Sequence, residues 1–180
     1  MNKRTRLSLL GVLCAVLVSA LFIACGRFDD SAWERYIQTG MEAYQQGNYA
    51  EAEKQWSAAL QEAENLGPED PRLATSVNDL AMLYHAQGKY AEAETLFKRA
   101  LAIYEEALGP EHPNVATSLN NLAELYRTQG KYAEAEPLYQ RALAIAEKSL
   151  GPEHPSVATS VNNLALLYHT QGKYAEAEPL

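Results

Sequence analysis

From Val115 onward apolar residues recur at Leu119, Leu122, Ala123 and Tyr126, spaced four, three, one and three. A polar break follows at Gln129-Gly130-Lys131, and then Tyr132, Ala135, Tyr139, Ala142 and Ala146 recur at alternating steps of three and four. Both stripes have the period of an α-helix, and neither alternates as a strand would. They predict two antiparallel helices joined by a tight turn. The ends carry their own signals. Gly109 stands where a helix C′ residue must take a left-handed backbone, and Pro110 then blocks continuation. His112 precedes Pro113, is pushed toward the extended region, and takes the place of an N-cap. Pro113 can then open the next helix, where its missing N–H costs nothing.

This unit is repeated. Leu66-Gly67-Pro68-Glu69-Asp70-Pro71 returns as Leu108-Gly109-Pro110-Glu111-His112-Pro113 and as Leu150-Gly151-Pro152-Glu153-His154-Pro155, a period of 42 residues. The string Gln-Gly-Lys-Tyr-Ala-Glu-Ala-Glu starts at Gln87, Gln129 and Gln171, with a looser copy at Gln46. Periods in this range mark solenoids, in which a hairpin buries its apolar flank against its neighbours. Ala81, Ala123 and Ala165 in first helices, and Ala93, Ala135 and Ala177 in second helices, allow close approach, with Tyr84, Tyr126 and Tyr168 filling the volume beside them. Pro137 and Pro179 fall early in second helices and predict a slight kink there.

These residues carry a resemblance. Gly130, Tyr132, Ala135, Tyr139 and Ala142 match the turn and second helix of a tetratricopeptide repeat, and Leu122, Ala123 and Tyr126 match its first helix. The long unit, with its LGPEHP-x-VATS-x-NNLA-x-LY pattern, looks like the repeats of the kinesin light chain family and its bacterial relatives. Residues 66–180 match closely; residues 32–65 match as a shorter repeat, through Tyr36, Gly40, Tyr44, Tyr49, Ala52, Trp56 and Ala59. The resemblance implies an all-α, right-handed superhelix of antiparallel helix pairs over residues 33–180, with repeats near 33–67, 71–109, 113–151 and 155–180. The extra length of the long repeats is expected in longer helix ends. The last repeat stops early in its second helix without a polar cap, which is read as a sign that the natural product continues; the alternative is an end buried by self-association.

Ahead of the repeats, Lys3, Arg4 and Arg6 precede eighteen uncharged residues, Leu7 to Ala24. A basic flank followed by an apolar run is the order of a bacterial export signal, and its length approaches that of a membrane-spanning helix. Leu21-Phe22-Ile23-Ala24-Cys25-Gly26 resembles a lipobox, which implies lipidation of Cys25; the alternative is an uncleaved anchor. Residues 1–25 are therefore read as signal or anchor and 26–32 as a short linker. Either reading tethers the chain to a membrane and places the repeats on the periplasmic or extracytoplasmic side of a bacterial envelope.

The formal net charge is -8, and the 12 basic and 23 acidic residues after Cys25 leave the body at -11. A body this acidic repels phosphate backbones and argues against nucleic acid as a partner. Cys14 and Cys25 both lie in the apolar N-terminal run, so no disulfide or cysteine-based zinc site forms within the repeats. His112 and His154 read as caps. His85 and His169 recur without a second ligand at helical spacing, and the glycines are isolated terminators rather than a phosphate loop. The sequence thus suggests no catalytic residue, metal, cofactor or small-molecule substrate, and the glutamates of Ala-Glu-Ala-Glu read as a solvated face.

What remains is the inner face of the superhelix. Repeat register places there Asn78 and Asp79, then Asn120, Asn121 and Glu124 with Arg127 at the edge, then Asn162 and Asn163. Asparagine is unfavourable in mid-helix. The paired amides are read either as a ladder for the backbone of an extended peptide or as bonds to neighbouring helices. The expected function is a non-catalytic scaffold that binds protein or extended peptide, neutral or basic, in this groove. A second reading makes the chain the repeat portion of a larger protein with an effector domain, such as a caspase-like peptidase.

Overall fold

The structure, a computed structural model, describes residues 30–178. The signal or anchor at residues 1–25, Cys25 and Pro179 lie outside them. The described chain consists of helices joined by turns: α1 (Asp30–Gln45), α2 (Tyr49–Glu64), α3 (Pro71–Ala86), α4 (Tyr90–Leu108), α5 (Pro113–Thr128), α6 (Tyr132–Leu150), α7 (Pro155–Thr170) and α8 (Tyr174–Ala177). There is no strand among the described residues. Each helix packs on the next, and the odd-numbered helices α3, α5 and α7 also touch in turn. This is a solenoid of hairpins in sequential order.

The helix boundaries follow from the local signals. Asp70 accepts the Arg72 N–H at 2.9 Å, and Nδ1 of His112 and His154 accepts the N–H of Asn114 and Ser156 at 3.1 Å. Each cap is extended and is followed by proline, so the histidines of the repeated Glu-His-Pro close helix starts, as expected. Gly109 ends α4 at φ 86°, which an L side chain would resist. The second helices α4 and α6 have 19 residues against 16 in α2. Pro137 sits inside α6, which continues to Leu150.

The alanines do what their size predicts. Ala81, Ala93, Ala123 and Ala135 are all fully buried, in one cluster with Phe97, Leu125 and Tyr139. The packing thins toward α8, which buries no residue, and Ala165 is only half-buried beside exposed Leu166 and Tyr174. In the first pair, Gly40 lets α1 approach Trp56 so closely that an added Cβ would overlap the indole. Trp56 is wholly enclosed and donates from Nε1 to the Ile37 carbonyl at 3.3 Å.

Part of the expected solvated glutamate face is instead bonded across repeats. Tyr84 donates to Glu53 at 3.3 Å, Tyr126 to Glu94 at 3.0 Å and Tyr168 to Glu136 at 3.2 Å. Lys131 and Lys173 reach the same glutamates at 3.6 and 3.2 Å, and lie over the rings of Tyr126 and Tyr168. The second glutamates of the first three Ala-Glu-Ala-Glu strings, Glu53, Glu94 and Glu136, therefore belong to joints between hairpins, while that of the fourth, Glu178, is exposed. The first glutamates, Glu92 and Glu134, are exposed.

Candidate functional site

The odd-numbered helices α3, α5 and α7 stand side by side, and the side chains between them leave two adjoining recesses. The larger, about 400 Å³, lies between α3 and α5 with Tyr104 of α4 against it. The smaller, about 250 Å³, lies between α5 and α7. Thr117 and Asn121 line both, so the recesses form one continuous row across successive repeats.

The asparagines divide between two roles. Asn121 donates from Nδ2 to Oδ1 of Asn78 at 3.1 Å, and Asn120 donates from Nδ2 to Ser160 Oγ at 2.9 Å. Both bonds run from α5 to a neighbouring first helix and tie repeats together. Asn78 is buried and turns its own amide toward the Met82 sulfur, 3.7 Å away. Asn121 and Asn163 line the smaller recess, while Asn162 is exposed and lines a separate recess of α7 with Val157, Val161 and Ala165. Oδ1 of Asn120 and Oγ of Ser118 are buried without a hydrogen-bond partner.

Charge at this face is mostly spoken for. Arg127 grips Glu124 with two bonds of 2.6 and 2.8 Å, and the Tyr139 hydroxyl donates to Glu124 at 2.9 Å. Burial acts to raise the Glu124 carboxyl, but the bonds from Arg127 and Tyr139 outweigh it and hold it below its ordinary range. The one basic residue beside the groove positions is thus neutralised by its own helix. Asp79 is different. It is 6% exposed, burial pushes its carboxyl up to about 7, and the Asn78 amide opposes this only in part. No cation pairs with it among the described residues.

Tyr104 and Ser118 were not foreseen here. The Tyr104 hydroxyl sits 2.7 Å from Thr75 Oγ1, and burial raises the phenol to about 12. The repeat offered a signal, since the position equivalent to Tyr104 one period later is Ala146, and that equivalent to Asp79 is Asn121. Asp79, Met82 and Tyr104, three of the departures from the repeat, line the larger recess. Among the described residues no group of His, Cys, Asp and Glu could hold a metal ion, and no helix is long and apolar enough to cross a membrane.

Comparison with known proteins agrees with this architecture. The crystal structure of BtubC (BKLC) from P. vanneervenii superposes with a TM-score of 0.72 at 28% identity, covering 82% of this chain and 59% of that one. A kinesin light chain-like protein of P. anserina with nearly identical TPR-like repeats gives 0.67 at 28% identity, covering 92% and 78%. Aspartyl phosphate phosphatase F of Bacillus subtilis shares the fold with a TM-score of 0.73 at 19% identity, over 89% of this chain and 40% of that one. No curated protein sequence matches significantly. The family model for the tetratricopeptide repeat matches residues 40–106, 75–148 and 115–180. Stacked hairpins, buried alanines and this match together establish that the chain belongs to the tetratricopeptide-repeat family.

Proposed function

We propose that the chain is a non-catalytic scaffold that holds an extended segment of another protein along α3, α5 and α7. Its tether is the N-terminal segment, at the membrane of a bacterial envelope, with the repeats on the extracytoplasmic side. The fold is a repeat scaffold of the kind typical of protein-interaction modules. The observation that carries the reading is the pair of adjoining recesses sharing Thr117 and Asn121. They run across the helices and are lined by hydroxyls and amides, the groups that recognise an extended backbone. An acidic body favours a neutral or basic partner over an acidic one.

The bound segment would contact Asn121, Asn163 and the mouth of the Asp79 recess, while Asn78 and Asn120 hold the repeats in register beneath it. Affinity capture of native partners by the full-length chain, compared with Asn121→Ala and Asn163→Ala, tests this. A partner retained by wild type and lost from both variants supports the groove; one retained equally by all three places the contact elsewhere. The tether has a separate test, resting on Cys25. Fatty-acid labelling that disappears in Cys25→Ser supports lipidation, and labelling that persists removes it.

A further inference from the structure

The larger recess contains a buried acid that the fold does not use. Asp79 lies on α3 between the helix caps, far from either end, and no cation reaches it among the described residues. An uncompensated carboxyl in such a place is costly to keep. The other two long repeats avoid that cost with Asn121 and Asn163 at the same register. The acid of the neighbouring recess, Glu124, is already bonded to Arg127 and Tyr139. Asp79 is therefore singular in two ways: it is an acid where its counterparts are amides, and it lacks the partners that Glu124 has.

Its surroundings have a shape and chemistry of their own. The polar wall is made by Thr117, Ser118 and Asn121, and Ser118 Oγ is buried with no hydrogen-bond partner. The remaining wall includes the half-buried Met82 and the ring of Tyr104, surfaces suited to an alkyl chain. Long basic side chains lay their methylenes along such surfaces while the charged head reaches a carboxylate. We infer that this recess is a socket for one lysine or arginine side chain of the bound segment, with Asp79 as its counter-charge and Ser118 Oγ as a further acceptor. The inference rests on the groove reading above and adds to it a register: one basic residue fixed opposite α3, with the segment continuing over Asn121 toward α7.

Asp79→Asn should fold, because it makes this repeat like the other two. The test pans a phage-displayed library of short linear peptides on the full-length chain near pH 8. Peptides that share one Lys or Arg are expected. Their affinity should fall about thirtyfold or more on Asp79→Asn. The same loss should follow replacement of that basic residue by norleucine, which needs no variant protein. Binding should also tighten between about pH 6 and pH 8, as Asp79 releases its proton. Tyr104, the other titratable group lining the recess, stays neutral through that range. Enriched peptides with no common basic residue, or bound equally by Asp79→Asn, overturn the socket. If those peptides are still lost from Asn121→Ala and Asn163→Ala, the groove stands without it. Peptides indifferent to all three substitutions, or a library that yields no binder, sink both.

Discussion

The Tyr126 hydroxyl donates a 3.0 Å hydrogen bond to Glu94, one hairpin away, and Lys131 closes the joint by lying over the Tyr126 ring and reaching the same carboxylate. Side chains from α4, α5 and the turn before α6 thus meet at one point. The interaction recurs at Tyr84 with Glu53 and at Tyr168 with Glu136. Tyr126→Phe deletes the bond while keeping the ring in place. It should lower stability by about 1 kcal/mol in urea unfolding. Lys98 remains 2.7 Å from Glu94, so the carboxylate is not left bare. An unchanged midpoint would show that the joint contributes no net stability.

Ala135 is fully enclosed in the cluster that also holds Ala123, Leu125 and Tyr139. Ala135→Leu has no space to fill and should cost about 1–3 kcal/mol through displaced neighbours. Ala133→Leu, on the exposed side of the same helix, should change stability by less than about 0.5 kcal/mol. Equal effects in thermal or urea unfolding would contradict the tight contact.

Gly40→Ala should destabilise the first hairpin even though alanine favours helix, because the new methyl overlaps the indole of Trp56. The expected cost is about 1–3 kcal/mol. Tryptophan fluorescence should shift with it, since Trp56 must leave an enclosed site. A stabilised variant with unaltered emission would show that the two helices do not approach as described.

Burial holds the Asp79 carboxyl at about 7 in the folded chain, against about 3.9 for a free aspartate. Below about pH 4 both folded and unfolded chains keep the proton, and the folded state carries no penalty. As pH rises toward about 7 the unfolded chain gives the proton up first, so stability falls, and above that the loss is complete. Asp79→Asn removes the effect. Urea unfolding over this range should show wild type losing stability relative to the variant by roughly 2–4 kcal/mol. A wild type that gains on the variant as pH rises would contradict a buried, uncompensated acid.

The helices, their order and their ends were legible because they depend on neighbours in sequence. The stripe through Leu119, Leu122 and Tyr126 fixes the buried side of α5, and the Gly109-Pro110 stop and His112-Pro113 start fix the break before it. The glutamate joints were not legible. Whether Glu94 faces water or Tyr126 depends on how far one hairpin rotates against the next, and no local pattern records that angle. The asparagine pairs were ambiguous for the same reason. Asn120 and Asn121 are adjacent in sequence, yet one bonds to Ser160 on α7 and the other to Asn78 on α3. Asp79 carries no local mark of its burial, which comes from the packing of α5 and Tyr104 around the recess. The clue available was its departure from Asn121 and Asn163, at a place where the repeat is otherwise kept.

The groove is tested most directly by photocrosslinking in cells, with a photoreactive residue placed at Asn121 or, for comparison, at exposed Ala144 on α6. The account predicts that the Asn121 probe joins the chain to a partner through an extended stretch of that partner, and that the Ala144 probe does not. Capture at Ala144 with none at Asn121 would contradict it, placing the interacting surface on the second helices.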